Sequence, residues 1–385
     1  MKRPLASRLG VLLLCAVSTE DVCAEYPLDA HLIISRKAID VMPGDIASLF
    51  RHRIEEWQNK VVEPARAWRR DRKLKERRLW HDVAVDITTD AQNQAARIHS
   101  LQGFPRDKES AKRLYRKRGY YRGGLLPWAI ERFYGELVEA FRSGDESAVI
   151  RQAGYLVYFA ANAANPFRVS ANAKGQFTEN LRFGHERASD PLAEHHSVRE
   201  RFGVALVSRR AWPYASAVNA SHADYDPILE PVSASFAFFE ESLAVLDEVA
   251  QADREILNDL EVRDRRTFEA KLQAYYDAMH DRCGDICVER LEAGAIFAAN
   301  LIGGAWQAAG QPTLETIRAR AAGSGPHATP ANPRKSPILG SRHSVVFHKN
   351  DCPFAKQIAN DNLVTFPSAL EARRAGRRGC KRCQP

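Results

Sequence analysis

Near its end the chain carries two pairs of metal-type ligands, His348-x3-Cys352 and Cys380-x2-Cys383. A segment from about 338 to 385 is too short to bury a core that would hold it folded unaided. Thiolate sulfur and imidazole nitrogen in paired spacing suit zinc in a closed tetrahedron with no position left for substrate. Such a structural ion contributes on the order of 10 kcal/mol to folding. A disulfide among the three cysteines is the alternative, and it leaves one cysteine odd and His348 unexplained. The expectation is one structural zinc on His348, Cys352, Cys380 and Cys383. Around these ligands, 344–347 and 363–366 read as short β-like runs. Residues 368–375 read as a short helix opening on a serine cap. The module is therefore expected to be a small α/β unit.

The rest of the chain has a different period. From about 30 to 320, apolar residues recur at spacings of three and four, as in 45–62, 127–141, 148–163, 191–209, 234–257, 265–280 and 287–309. That is the helical repeat, and period-two strand signals are nearly absent. The stretch 25–320 is expected to be one all-α domain. Ser143-Gly144-Asp145 separates two of its helices, with Asp145 or Ser147 as the cap. Residues 321–337, most of them Gly, Pro and small polar residues, read as a linker to the 338–385 module.

Residues 1–24 read as an export signal. Lys2, Arg3 and Arg8 precede the apolar run 10–17, and Val22-Cys23-Ala24 ends on a small residue. The run is too short to span a bilayer, which takes roughly 20 residues. No later stretch is a transmembrane candidate. The mature chain is expected to be periplasmic or extracellular. The segment holds three Lys/Arg and two Asp/Glu, so the formal charge of +8 falls by one, to +7. Basic residues concentrate in 66–78 and 106–122, the second run interleaved with Tyr115, Tyr120 and Tyr121. That pattern suits a polyanion, although Asp71, Glu76, Asp107 and Glu109 also fit two solvated helix faces. In an oxidising compartment Cys283 and Cys287 are a possible disulfide, with Gly284 allowing a local helix break.

The words HKNDCPFAKQIANDNLVTFPSALEARRAGRRGCKRCQP resemble the metal-binding domain of the Ada methylphosphotriester repair protein. The closing Gly376-x-x-x-Cys-Lys-Arg-Cys-Gln-Pro385 is the most specific part. The resemblance implies a four-ligand zinc site that contacts DNA. At the first ligand the family has a methyl-accepting cysteine. Here the residue is His348, so zinc binding is implied and methyl transfer is not. Gly379 stands where the family usually has proline.

The helical domain is similar to the zinc-dependent phospholipase C and single-strand nuclease superfamily, over about 26–310. The words that carry the similarity are AHLIISRKAIDVMP, GLLPWAIERF, AANPFRVSANAKGQFTENL, HHSVRERF and ANLIGGAWQAAG. The resemblance implies an all-α exported fold whose cleft holds three zinc ions for phosphodiester hydrolysis. It places metal ligands at His31, His81, His196 and Glu200. Tyr26 stands nearest the family's first tryptophan, and Ala65 near its aspartate. The His-x3-Asp-x5-His of the central helix becomes Tyr158, Asn162 and Arg168. His196-Ser-Val-Arg-Glu200 keeps the family's next motif. Tyrosine and asparagine are poor zinc ligands, and arginine stays cationic without a lone pair. His185, His195 and Asp86 are further residues near these segments.

Taken together, these readings predict a pseudoenzyme: a degenerate phosphodiesterase fold that binds nucleic acid or another phosphodiester without hydrolysing it. An active phosphodiesterase of phospholipase C or nuclease type, with altered ligands, is the alternative. A protein of the envelope engaged in interactions with unidentified protein partners is the other. Arg168 either replaces lost metal charge and grips phosphate, or pairs with the carboxylate of Glu200.

Overall fold

The computed structural model describes residues 28–68, 79–86, 101–118, 123–173, 192, 197–321, 338–341, 344–359, 362–366, 369–374 and 377–383. The export signal, Tyr26, most of the linker and of the first basic run, Tyr120, Tyr121, His185, His195, His196 and Ser368 lie outside the described residues. The chain divides into two compact units, Met1–Ile317 and Arg318–Pro385. Most of the described chain is helical, with one small sheet near the C-terminus. Among the described residues no helix is long and apolar enough to cross a membrane.

In order, the helices are α1 Asp29–Val41, α2 Gly44–His52, α3 Ile54–Glu63, α4 Lys108–Lys117, α5 Leu126–Ser143, α6 Glu146–Ala164 and α7 Pro166–Val169. Then come α8 Val198–Glu200, α9 Val207–Arg209, α10 Ala211–Ala217, α11 Pro231–Ala244, α12 Leu246–Asp259, α13 Arg265–Ala270, α14 Leu272–Ala308 and α15 Leu314–Ala321.

Helix α6 is the centre. It starts where Asp145 accepts a hydrogen bond from the Ala148 amide at 2.9 Å, the expected N-cap. Just before it, Gly144 closes α5 with φ +66°, a left-handed conformation that glycine adopts without cost. From Ala153 to Ala164 every α6 side chain is buried. A helix apolar on all sides needs partners on all sides, and α6 packs against α3, α5 and α14, while α1 lies on α14.

Several boundaries differ from the periodicity. The stretch 45–62 is two helices, broken at Arg53, whose side chain pairs with Glu56 and with Glu146 at 3.1 Å. The stretch 234–257 divides at Val245. Conversely, α14 runs through Cys283, Gly284 and Cys287 without a break, and both thiols are free. Gly284 serves another purpose. A Cβ there would lie 2.7 Å from His280 Nδ1, so the glycine makes room for that ring, which meets the Tyr214 hydroxyl at 3.0 Å.

Between α8 and α9 the helix widens into a π-turn over Arg201–Leu206. Arg201 fastens it to the body. Its guanidinium is buried and bonds both carboxylate oxygens of Asp253 on α12, at 2.7 and 2.5 Å, and the Tyr275 hydroxyl on α14 at 3.2 Å.

The second unit holds β1 Ile338–Ser341, β2 Val346–Lys349, α16 Pro353–Lys356, β3 Leu363–Phe366, α17 Ala369–Arg374 and β4 Arg378–Gly379. The sheet order is β3-β1-β2-β4. β1 is antiparallel to both neighbours, with Leu339 opposite His348 and Thr365, and β2 runs parallel to β4. β3 coincides with the run 363–366, β2 begins two residues later than the run 344–347, and β1 and β4 carried no sequence signal.

Candidate functional site

The register of the small sheet assembles the metal-type ligands. Phe347 pairs with Gly379, so the next residues, His348 and Cys380, leave adjacent strands side by side. The Cys380 amide donates to the Phe347 carbonyl at 2.9 Å and fixes that register. A tight turn, closed by the Cys352 amide on the Lys349 carbonyl at 3.1 Å, swings Cys352 back over the strand end. Cys352 Sγ lies 3.5 Å from His348 Nδ1. The two-residue spacing then brings in Cys383, whose sulfur accepts the Lys349 amide at 3.4 Å. The four ligand atoms all lie within 4.8 Å of one another. Among the described residues, this is where His, Cys, Asp or Glu ligands gather in a group of three or more around one point.

The protonation tendencies of these groups differ. Backbone amides of Cys383 and Arg382 point at Cys380 and hold its thiol below the usual range. Burial pushes the Cys383 thiol up to about 11. Burial also lowers the His348 pKa, which keeps the imidazole in its neutral, ligating form. The cluster could hold one metal ion, and a His/Cys3 donor set is compatible with zinc.

In the helical unit the residues singled out by resemblance also converge, although 127 positions separate His31 from Tyr158 in the sequence. His31 on α1 stacks on Tyr158 of α6, ring centres 4.9 Å apart, and its Nε2 lies 3.2 Å from Asn162 Oδ1. His81 Nδ1 lies 2.8 Å from the Tyr158 hydroxyl. His31, Ala65, Tyr158 and Arg168 all line one pocket enclosing about 630 Å³, its open mouth included. Most of its remaining wall is apolar, from Ile34, Ala161, Phe202, Val207 and Leu291 among others, and Cys287 and Arg290 also reach it. His81 and Glu200 are not in that wall.

Arg168 sits on the one-turn helix α7, which Asn165 caps by accepting the Phe167 amide at 3.0 Å. Gly203 of the π-turn presses against that cap, since a Cβ there would come 1.9 Å from Asn165 Nδ2. The Arg168 guanidinium pairs with Asp82 at 2.8 Å. Glu200 pairs with Arg199 at 3.2 Å, and Arg199 approaches Asp82 at 3.8 Å. The carboxylate beside Arg168 is therefore Asp82, and Glu200 connects to it through Arg199. Asp86 straps the loop after α7, accepting from Ser170 Oγ at 2.5 Å and from the Ala171 amide at 2.6 Å. Tyr26, His185, His195 and His196 lie outside the described residues.

Sequence reasoning missed Asp82 and Arg290. Asp82 could have been found beside His81, but Arg290 stands in a long helix with no motif around it. No protein-family model matches the chain, and no curated protein is significantly similar to it.

Proposed function

We propose that the chain is an exported binding protein, a phospholipase C/nuclease-type helical fold without hydrolytic activity joined to an Ada-type module folded around one zinc. His348, Cys352, Cys380 and Cys383 would hold that ion in a closed set, so its role is structural. The helical pocket receives a phosphate-bearing ligand, nucleic acid or another phosphodiester, and does not cut it. The observation that carries this reading is the mutual bonding of His31 with Asn162 and of His81 with Tyr158. Each bond engages one ring nitrogen of its histidine, and the partners, Tyr158 and Asn162, are poor metal ligands standing where the resemblance places good ones. Arg168 contributes positive charge to the pocket wall but shares it with Asp82. A phosphate must compete with that carboxylate and binds weakly.

Purified full-length protein should turn over neither single-stranded DNA, RNA nor phosphatidylcholine, with or without added zinc. Chelator-sensitive hydrolysis abolished by His196→Ala would establish the active phosphodiesterase instead. Binding of a short single strand should weaken as salt rises, because counterions are released. Arg168→Ala should weaken it more than the surface control Lys112→Ala. Absence of binding at low salt would leave an envelope interaction protein with zinc in its tail.

A further inference from the structure

Resting on the reading of this pocket as a non-hydrolytic anion site, we infer that its ligand is a single-chain amphiphile, an anionic head on one alkyl chain, with Arg290 as the second anchor for the head.

Two observations carry this. The first is shape and lining. The pocket is bounded mainly by apolar side chains, Ile34, Ala161, Phe202, Val207 and Leu291. Such a wall offers few partners to a sugar or a nucleobase edge and rewards burial of methylenes, so among anionic ligands it favours one with an alkyl part. Its volume of about 630 Å³, open mouth included, suits one alkyl chain with its head better than two long chains.

The second is charge that is only partly compensated, at Arg290 by the face of the Phe238 ring 4.8 Å away and by one solvent-exposed carboxylate. Arg168 and Arg290 both line the pocket, their side chains only 6% and 11% exposed. A buried cation is costly unless paired. Arg168 has the close partner Asp82. The carboxylate nearest Arg290 is Glu241 at 3.7 Å, and it is 61% exposed, where solvent weakens the attraction. Arg290 otherwise donates to neutral groups, the Ala164 carbonyl at 3.4 Å and Ser242 Oγ at 3.0 Å. These bonds use Nε and one Nη2 hydrogen, so further N–H donors remain. Burial pushes the guanidinium pKa down against the opposing pull of Glu241 and Glu289, which leaves room for further compensation. An anionic head supplies it. Arg290 also secures the end of α6 through the Ala164 carbonyl, so the test must separate anchoring from folding.

Binding of octyl phosphate, octanoate, 1-octanol and dimethyl phosphate to the full chain is measured by calorimetry. Octyl phosphate and octanoate separate a phosphate from a carboxylate head. At least one should bind ten-fold or more tighter than both 1-octanol and dimethyl phosphate; burial of about two methylenes accounts for such a gain over dimethyl phosphate, and the charged head on the arginines for the gain over 1-octanol. Arg290→Gln should lower that affinity about ten-fold and leave 1-octanol unchanged, and Arg290→Lys should retain part of it. Val204 also lines the pocket, and Val204→Phe, which fills part of it, should remove the gain from the chain. Equal binding of dimethyl phosphate and octyl phosphate overturns the amphiphile and leaves the anion site standing. Binding of neither anionic octyl ligand nor dimethyl phosphate overturns both. Equal losses for 1-octanol and the anions in Arg290→Gln would make Arg290 a purely structural group and overturn its role as anchor.

Discussion

His81 Nδ1 and the Tyr158 hydroxyl are 2.8 Å apart in the interior of the helical unit. The histidine stands where the resemblance implies a zinc ligand, and the tyrosine stands where a second ligand is lost. Both are buried. A buried polar group that loses its partner costs about 1–3 kcal/mol. Tyr158→Phe keeps the ring stacked on His31 and removes only the hydroxyl. It should destabilise the protein by about 1–2 kcal/mol in denaturant unfolding. An unchanged midpoint would mean that this bond does not hold the cluster together.

The Arg201–Asp253 pair is buried on both sides. Asp253→Ala removes the carboxylate that accepts two bonds from this buried guanidinium. Breaking a buried pair from one side costs about 3–5 kcal/mol. The thermal midpoint of Asp253→Ala should fall by roughly 10 °C. The π-turn carries Phe202 and Gly203 to the pocket, so ligand binding should be lost with it. A shift within experimental error would show that the pair is solvated.

Cys283 and Cys287 should behave as buried thiols. Burial pushes Cys283 up to about 11 and Cys287 higher still. The thiolate is the reactive form, so alkylation of the native protein at pH 8 should be slow at both. In denaturant without reductant both should react fully, whereas a disulfide would leave both unreactive. The sign of the pH effect follows. Folding raises these pKa values, so their contribution to stability is complete below the ordinary thiol range of about 8.5. It is lost as pH climbs toward 11.

The helical character and the Asp145 cap were legible because they depend on local period and one side-chain acceptor. The four tail ligands were legible because their pairing is local too, two short spacings that a parallel β2–β4 contact brings together. The α14 helix was misjudged at Gly284, because that glycine answers to the His280 ring beside it and not to backbone freedom. Arg168 was legible as a pocket residue, but its partner Asp82 was not. The choice between Asp82 and Glu200 depends on how the 79–86 segment lies across α7, a tertiary contact with no period or spacing to announce it. Arg290 was invisible for the same reason.

Zinc content of the full-length chain, purified without added metal and then equilibrated with zinc and desalted, tests the account most directly. One zinc per chain is predicted, held by His348, Cys352, Cys380 and Cys383 and lost in Cys380→Ser or Cys352→Ser. Two or three zinc ions per chain, or one that survives either substitution, would contradict it.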